Sequence, residues 1–197
     1  MKSPIEQILK GRHLYLASAS PRRRQLMSNL GCEVKLIEPR EVDESFPAYL
    51  PVEDAPLYIS RKKAEAYGDV ITADMIVVTA DTVVIADNKL LGKPHSVDEA
   101  VKMLETLSGK RHKVITGVTL TTTDKIHSFK TVTEVDFDTL TPDEIAYYIN
   151  EFKPFDKAGA YGIQEWIGYV GIKGISGDYY NVMGLPVHDL YKNLCLL

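Results

Sequence analysis

The stretch Leu14-Tyr15-Leu16-Ala17-Ser18-Ala19-Ser20-Pro21-Arg22-Arg23-Arg24 decides how this chain folds, because it joins a strand to a helix. Residues 14–18 are mostly apolar and predict a buried strand. Ser20 followed by Pro21 predicts a helix start, since a serine hydroxyl caps free backbone amides and proline has a helical φ. A strand that leads directly into a helix is typical of an α/β fold.

Three consecutive arginines occupy the first turn of this predicted helix. A helix N-terminus carries about half a positive charge, so cations there repel it unless an anion lies among them. Backbone N–H groups, serine hydroxyls and guanidinium groups together are able to hold phosphate. We therefore predict an anion-binding site at this turn; the alternative is a basic turn exposed to solvent.

The composition is that of an ordinary globular protein, with 45% hydrophobic and 25% charged residues in a chain of 197. This length suits one domain, and we predict a single α/β domain over residues 1–197. The net charge of −4 gives no overall field that attracts nucleic acid or an acidic membrane, so we expect neither as a partner. A local arginine cluster in an acidic protein favours a small anionic ligand.

The cysteines and the apolar stretches bear on the compartment. Cys32 and Cys195 lack metal-ligand spacing and require no disulfide, which favours the reducing cytoplasm. Residues 1–11 lack the apolar core of a signal peptide, and no apolar stretch has the length of a membrane span. We therefore expect a cytoplasmic protein.

Strand and helix patterns alternate along the chain, which predicts a mixed central sheet flanked by helices. A hairpin is predicted around Asp87-Asn88, and a long polar segment, 38–52, predicts a loop. The predicted strands are 14–18, 32–37, 75–86, 89–91, 112–123, 126–138 and 166–175. The predicted helices are 21–30, 53–68, 96–109, 141–150 and 186–196. The sheet must be mixed because hairpins and helical crossovers both occur, and we expect a cleft in it.

Asp81 lies within the otherwise almost wholly apolar run 75–86. A carboxylate in such a run is costly unless it is paired, hydrogen-bonded or bound to a metal. We interpret Asp81 as a metal ligand or general base at the end of a strand, where sites of α/β proteins usually lie. The alternative is a strand-end aspartate that faces solvent.

Other charged residues are candidates for the same cleft. Lys93 lies in the stiff sequence Gly92-Lys93-Pro94, and one of Arg61, Lys62 and Lys63 should face inward from its helix. Asp43 and Glu44 lie together in the polar loop, where their hard oxygens suit a divalent cation. By themselves, each of these charges is equally typical of a solvated surface.

The run Phe155-Asp156-Lys157-Ala158-Gly159-Ala160-Tyr161-Gly162-Ile163-Gln164 combines small residues with charge. Its glycines permit a close approach of the backbone, and the Gln164 amide could read the edge of a nucleotide base. The alternative is a tight turn before a strand. His112 lies among strand residues and is interpreted as structural. Walker, zinc-protease, Cys-x-x-Cys and Gly-x-Ser-x-Gly motifs are absent from the sequence.

Taken together, these motifs resemble the Maf family of nucleoside triphosphate pyrophosphatases, in family order and over nearly the whole chain from about residue 14. The motifs are Ala17-Ser18-Ala19-Ser20-Pro21-Arg22-Arg23, Ala80-Asp81-Thr82, Gly92-Lys93-Pro94, Ser108-Gly109-Lys110-Arg111-His112, the run 156–164 and Val182-Met183-Gly184-Leu185-Pro186. The resemblance implies a mixed α/β fold with two lobes around a cleft, similar to inosine triphosphatase. It also implies a homodimer, and hydrolysis between the α and β phosphates with a divalent metal, Mg²⁺ or Mn²⁺.

The resemblance also implies a role for each matched residue. The residues expected to bind the phosphates are Ser18, Arg22, Arg23, Lys63 and Lys93, with Ser20 capping the helix beneath them. Asp81 is expected to activate water, alone or through the metal, and Asp43 or Glu44 to help bind that metal. Arg23, Thr82 and Gln164 match positions tied to base choice. The run that holds Lys157 and Gln164, both expected to contact substrate, looks like the branch that acts on dTTP and UTP.

Two further interpretations stay open from the sequence. The first is a regulatory module that binds nucleotide and represses septation without hydrolysis; Asp81 beside so many cations speaks against it. The second is a hydrolase whose true substrates are modified pyrimidine triphosphates, which agrees with the main interpretation. Release of pyrophosphate from a panel of nucleotides separates the first interpretation from the enzyme.

Overall fold

A seven-stranded mixed sheet forms the centre of the protein, in a computed structural model that describes residues 3–197. The strands are β1 (His13–Leu16), β2 (Val34–Leu36), β3 (Met75–Ala86), β4 (Lys89–Leu91), β5 (Arg111–Thr121), β6 (Ile126–Phe137) and β7 (Ile172–Ser176). The order is β2-β1-β3-β5-β6-β7, and β4 pairs with β3. β1 runs parallel to β2 and β3, whereas the other pairs are antiparallel. The predicted mixed α/β fold is confirmed.

Eight α-helices flank the sheet within the described residues. They are α1 (Pro4–Leu9), α2 (Pro21–Ser28), α3 (Ala55–Glu65), α4 (Val97–Leu107), α5 (Pro142–Phe152), α6 (Trp166–Val170), α7 (Tyr179–Met183) and α8 (Val187–Leu194). Short 3-10 helices lie at Val52–Asp54 and Ala158–Ala160. Ser20, the predicted N-cap of α2, accepts a hydrogen bond from a backbone N–H in the first turn, as do Ser96 before α4 and Thr141 before α5.

Three elements differ from the sequence predictions. The predicted strand 166–175 is wrong in its first half, where α6 forms and buries Ile167 before β7 begins. A short apolar run fits either element, so its residue types did not distinguish them. The helices α1 and α7 were not predicted; both are short, and each begins at a capping residue, Ser3 and Asp178.

One edge of β3 is left open in its middle, and this opening forms the cleft. On that edge β1 pairs with β3 only as far as Val78, and β4 begins to pair at Val84. The opposite edge pairs continuously with β5 from Val77 to Ile85. Asp81 therefore lies in the middle of β3. The prediction from the sequence, which placed it at the end of a strand, is wrong. Asp81 still reaches solvent, because the neighbouring strand stops before it.

Two large hydrophobic clusters lie on either side of this opening and define two lobes. The first cluster joins α1, α2 and α8 to β1 and the first half of β3, with Ile76 and Val78 fully buried. The second joins α4 and α5 to the second half of β3 and to β6, with Phe137 and Tyr148 fully buried. All seven strands belong to the one sheet, and the division into a single domain over residues 1–197 stays a prediction.

Helix α3 crosses the sheet face to which Asp81 points, and its approach there is unusually close. Gly117 of β5 is the register partner of Asp81. A Cβ atom on Gly117 would lie 2.4 Å from the backbone of Pro56 and Leu57 at the start of α3. Because only glycine permits this contact, α3 passes low over the sheet and carries Lys63 to Asp81.

Candidate active site

A cleft of about 700 Å³ lies along the open edge of β3, between the two lobes. Its charged lining is mainly cationic, although the whole chain carries a net charge of −4. The cationic residues are Arg22, Arg23, Arg40, Lys63, Lys93 and Lys157. The carboxylates are Glu44, Asp81 and Asp156. A cleft with this charge attracts a small polyanion.

The two serines predicted at the start of α2 line the cleft and order its backbone. The Ser20 hydroxyl accepts a hydrogen bond from the Arg23 N–H at 3.4 Å, as a helix cap does. The Ser18 hydroxyl accepts one from the Ser20 N–H at 3.2 Å. Ser18 and Ser20 therefore fix the loop that presents the N-terminus of α2 to the cleft.

Arg23 joins three segments around the open edge of β3. Its Nε donates to the Gly184 carbonyl at 2.8 Å and its Nη1 to the Ala80 carbonyl at 2.9 Å. Its Nη2 donates to the Thr82 hydroxyl at 2.9 Å. Burial lowers the pKa of Arg23, and the nearby Asp81 carboxylate opposes that shift. All three acceptors are neutral, so the positive charge of Arg23 stays available to an anion.

Asp81 and Glu44 converge on one ammonium group. The Nζ of Lys63 lies 2.8 Å from Asp81 Oδ1 and 2.9 Å from Glu44 Oε1. Lys63 is thus the inward-facing member of the basic run on α3, whereas Lys62 pairs with Asp43 at 3.2 Å. The prediction that one of these cations faces inward is confirmed.

The donor set around Asp81 fits a divalent cation that also binds phosphate. Within residues 3–197, no cluster of three or more His, Cys, Asp or Glu side chains is arranged to hold a metal ion. Glu44 and Asp81 nevertheless bring two hard carboxylates to one point. Mg²⁺ is commonly held by one or two carboxylates, with substrate phosphates and water completing its shell. The residues present therefore fit such an ion when a polyphosphate is bound.

Asp43 lies apart from this group, outside the lining of the cleft. It accepts hydrogen bonds from the Ser45 hydroxyl and N–H and from Lys62. These bonds, those from Ser45 foremost, lower the pKa of Asp43 to about 2. Of the two acids that the sequence offered as metal ligands, the structure brings only Glu44 close to Asp81.

The wall of the cleft opposite the N-terminus of α2 is formed by residues 155–165, and charges of both signs alternate where it meets Arg22. Arg22 Nη1 lies 2.5 Å from Asp156 Oδ2, and Lys157 Nζ lies 2.8 Å from Asp156 Oδ1. The same ammonium lies 3.0 Å from Glu165 Oε1. Burial alone would raise the pKa of Asp156, but hydrogen bonds from Lys157 and Arg22 lower it to about 2. These residues link α2 of the first lobe to the second lobe.

The remaining predicted residues also reach the cleft. Gln164 lines it, and its buried Oε1 accepts no hydrogen bond from any described residue. Thr82 lies beside Arg23 and also bonds to Thr116. Lys93 lies exposed on the loop that follows β4 and contributes to the lining. The structure thus brings together every predicted site residue except Asp43.

Several lining residues were not found from the sequence. Arg40, Phe46 and His95 lie in polar or turn-rich segments, and nothing in their spacing distinguishes them from surface residues. Glu165, which lies behind the lining, immediately follows the quoted run 155–164, but a single acid after Gln164 carries no signal of its own. Only the fold shows that it reaches Lys157.

His112 is structural, as predicted. It is buried in β5, and its Nε2 lies 2.8 Å from the Tyr161 hydroxyl. Burial lowers its pKa to about 4, so the ring is neutral near pH 7.

Cys32 and Cys195 form no disulfide. Among residues 3–197, no helix is both long enough and apolar enough to cross a membrane.

Comparison with known proteins agrees with the motifs of this cleft. The family model described as Maf-like protein matches residues 13–197. This chain belongs to the Maf family. The match of this Maf protein covers the whole sheet and every lining residue of the cleft.

Curated relatives of this Maf protein share about half of its residues. A protein of Bacteroides thetaiotaomicron named dTTP/UTP pyrophosphatase is 52% identical over 181 residues, which cover 92% of this chain and 94% of the relative. One of Parabacteroides distasonis with the same name is 47% identical over 186 residues, covering 94% and 96%. Among solved structures, the Ham1 protein of Staphylococcus aureus matches with a TM-score of 0.39 and 14% identity, over 64% of this chain and 72% of that one.

Proposed function

We propose that this protein hydrolyses dTTP and UTP to the monophosphate and pyrophosphate, with Mg²⁺ or Mn²⁺. The observation that carries the proposal is the position of Asp81, a carboxylate on the open edge of β3 in an otherwise cationic cleft. The names of the curated relatives support both the reaction and the two nucleotides. The cleft volume of about 700 Å³ is in the range of small-molecule sites.

The cationic side chains hold the triphosphate in this proposal. Arg23 supplies a fixed charge, because its neutral protein acceptors do not compensate it. Arg22 and Lys157 first have to release Asp156, to which both are bonded. Lys93, exposed at the rim, adds a mobile charge. Such groups catalyse phosphoryl transfer by placing the substrate and stabilising its developing charge.

Asp81 is the base that takes the proton of the attacking water. Its Oδ1 is held at 2.8 Å by Lys63, which fixes the orientation of the carboxylate towards the cleft. Attack of the water oxygen on the α phosphorus forms a new P–O bond and breaks the bond from that phosphorus to the oxygen shared with the β phosphate, so that pyrophosphate leaves with the electron pair of the broken bond. Ser18 and the N-terminus of α2 offer hydrogen-bond donors to the phosphate oxygens.

Glu44 and Asp81 are the residues that would hold the divalent cation, because their carboxylates already meet at Lys63. A bound metal neutralises phosphate charge and polarises the phosphate oxygens. The ammonium of Lys63, held between these two acids, adds positive charge on the side of the cleft where the polyphosphate would bind.

Recognition of the base falls to Thr82, Arg23 and Gln164. The free Oε1 of Gln164 accepts a hydrogen bond from a base N–H, and its amide donates to a base carbonyl. Uracil and thymine present both groups on one edge. Ring positions away from that edge stay unread, so modified pyrimidine triphosphates belong in any test of substrates.

The test is pyrophosphate release by the purified protein, across canonical and modified nucleoside triphosphates, with Mg²⁺ or Mn²⁺. Asp81→Asn is expected to lower turnover by about 10²–10⁴-fold, the contribution usual for a general base. The control is Asp87→Asn, a carboxylate in the turn after β3 that pairs with Lys110 and has a positive φ that asparagine tolerates.

Undiminished turnover in a folded Asp81→Asn variant would refute the role of Asp81. If no nucleotide releases pyrophosphate while nucleotides still bind, the regulatory module becomes the better interpretation. The homodimer and the cytoplasmic location expected from the sequence stay predictions.

A further inference from the structure

A buried tyrosine lies behind the wall of the cleft that residues 155–165 form, and it connects the parts of that wall. Tyr148 of α5 is fully buried, and its hydroxyl donates to the Glu165 carboxylate. The same hydroxyl accepts a hydrogen bond from the Gly162 N–H at 3.0 Å. Burial, and then the bond to Glu165, raise the pKa of Tyr148, so the hydroxyl keeps its proton. One hydroxyl thus fixes both ends of the turn 162–165.

Glu165 in turn fixes the position of a residue that lines the cleft. Its Oε2 is bonded to Tyr148, and its Oε1 lies 3.0 Å from the Nζ of Lys157. The Lys157 side chain is only 9% exposed, whereas Asp156, its other partner, is 55% exposed. When a triphosphate displaces Asp156, Glu165 is the carboxylate that remains to hold the ammonium in place.

The same turn also fixes Gln164. A Cβ atom on Gly162 would lie 3.0 Å from Gln164 Nε2, 3.1 Å from Glu165 Cδ and 3.1 Å from Lys157 Cε. The three side chains therefore pack directly over Gly162, and a shift of one displaces the others. The Glu165 N–H donates to the Gly162 carbonyl at 3.0 Å and closes the turn beneath them.

We propose that Tyr148 and Glu165 are positioning residues. Their hydrogen bond fixes the side chains of the phosphate-binding Lys157 and the base-reading Gln164. This inference rests on the proposed function. Neither Tyr148 nor Glu165 lines the cleft, so both act through the residues that do. The pair couples the phosphate end of the site to its base end.

The two residues have separable effects. Glu165→Gln keeps an oxygen that accepts from Tyr148 but removes the charge that holds Lys157. Because every nucleoside triphosphate has the same phosphates, the loss should be equal for all bases. Tyr148→Phe keeps the Glu165 charge but leaves the Gly162 N–H without its acceptor. The turn then loosens around Gln164, and discrimination between bases should fall.

The experiment measures kcat and KM for dTTP, UTP and ATP. Glu165→Gln is expected to raise KM by about tenfold for each nucleotide, the loss typical of a hydrogen bond to a charged group. Tyr148→Phe is expected to lower the ratio of kcat/KM for dTTP to that for ATP by about fivefold, as for one neutral hydrogen bond.

Matched controls lie on the same helix. Tyr147→Phe alters an exposed tyrosine whose ring contacts Trp166, a contact that phenylalanine keeps. Glu151→Gln removes an exposed carboxylate of α5. Both controls should keep the kinetics of the unaltered protein. In a Lys157→Met background, Glu165→Gln should change KM no further, because its effect passes through Lys157.

Folded Tyr148→Phe and Glu165→Gln proteins that keep KM and base selectivity within twofold would overturn the inference. A lowered melting temperature with unchanged kinetics would do the same, since it indicates a role in stability alone. If the unaltered protein hydrolyses no nucleotide, the proposed function fails separately. Calorimetric binding of dTTP then replaces kinetics, and Glu165→Gln must weaken that binding by about tenfold for the inference to stand.

Discussion

The two walls of the cleft hold their cations in different ways. On the first wall, formed by residues 17–24 with Ala80, Thr82 and Gly184, Arg23 is bonded to two carbonyls and a hydroxyl. On the second wall, formed by residues 155–165, Lys157 is bonded to the carboxylates Asp156 and Glu165, and Asp156 also pairs with Arg22, which reaches across from the first wall. The first wall therefore keeps a net positive charge, whereas the second is compensated.

This difference assigns the walls different tasks. Neutral acceptors fix a guanidinium without weakening its field, so the first wall is ready for an anion before one arrives. The second wall has to exchange partners, because a phosphate oxygen competes with Asp156 for the same donors. Substrate binding should therefore depend on rigid geometry at the first wall and on competing charges at the second.

Arg23→Lys disrupts the hydrogen bonds of the first wall. It should have a larger effect than the loss of His112 neutrality at low pH or than Asp156→Asn. A lysine carries the same charge but offers no planar fork, so it cannot serve Gly184, Ala80 and Thr82 together. Loss of a fixed charged donor near the reacting phosphate is expected to lower kcat/KM by about 100-fold. Steady-state pyrophosphate release measures this change.

Arg24→Lys is the matched control for that change. Arg24 is exposed, with one long hydrogen bond of 3.4 Å from its Nε to the Ser18 carbonyl. Its replacement should alter kcat/KM by less than about threefold, as for other surface changes. Equal losses in the two variants would mean that only the total charge of the α2 N-terminus matters, and the contrast between the walls would disappear.

The first wall was largely predictable from local sequence. A serine and proline at a helix start beside three arginines contradict helix electrostatics, and a carboxylate in an apolar strand is equally conspicuous. The periodicity of the helix did not choose Lys63 over Arg61 and Lys62, and only the family resemblance pointed to it. The inward position of Lys63 depends on how low α3 passes over Gly117, which is a contact between segments far apart in the chain.

The second wall was predictable only in part. The small residues of 158–162 indicated close packing, but Lys157 is bonded to Glu165, and Glu165 is placed by the turn at Gly162 and by Tyr148 of α5. Tyr148 fits the apolar face of its helix, so its buried hydroxyl gave no signal. The error at residues 166–170 has the same cause: tertiary packing, and not residue type, decides a short apolar run there.

Low pH should destabilise the fold through His112, which lies against the second wall. Its ring packs against Tyr161 at a centroid distance of 5.4 Å, beneath the 155–165 segment. The folded-state pKa of His112, about 4, lies below its ordinary 6.5. The unfolded chain therefore binds the proton more readily, and the stabilisation, present above pH 6.5, is lost as the pH falls towards 4.

Between pH 7.5 and 5.0 this histidine alone should cost about 2 kcal/mol of unfolding free energy. Urea unfolding at the two pH values measures the loss, and His112→Gln should reduce the loss by about that amount because glutamine does not titrate. His188→Gln, at an exposed site on α8, should leave the loss unchanged. An identical pH dependence in His112→Gln would show that other groups determine the acid sensitivity of the protein.

Asp156→Asn tests the second wall and is expected to have the smallest effect. The direction in which KM for dTTP changes is the informative result. If Asp156 mainly competes with the substrate for Arg22 and Lys157, removal of its charge should lower KM for dTTP by about threefold, as for a partly exposed ion pair. Added salt should shrink that difference, since screening weakens such pairs. A rise in KM would instead mean that Asp156 holds Arg22 in the geometry that binding requires. The second wall would then depend on fixed geometry just as the first does, with carboxylates in place of carbonyls.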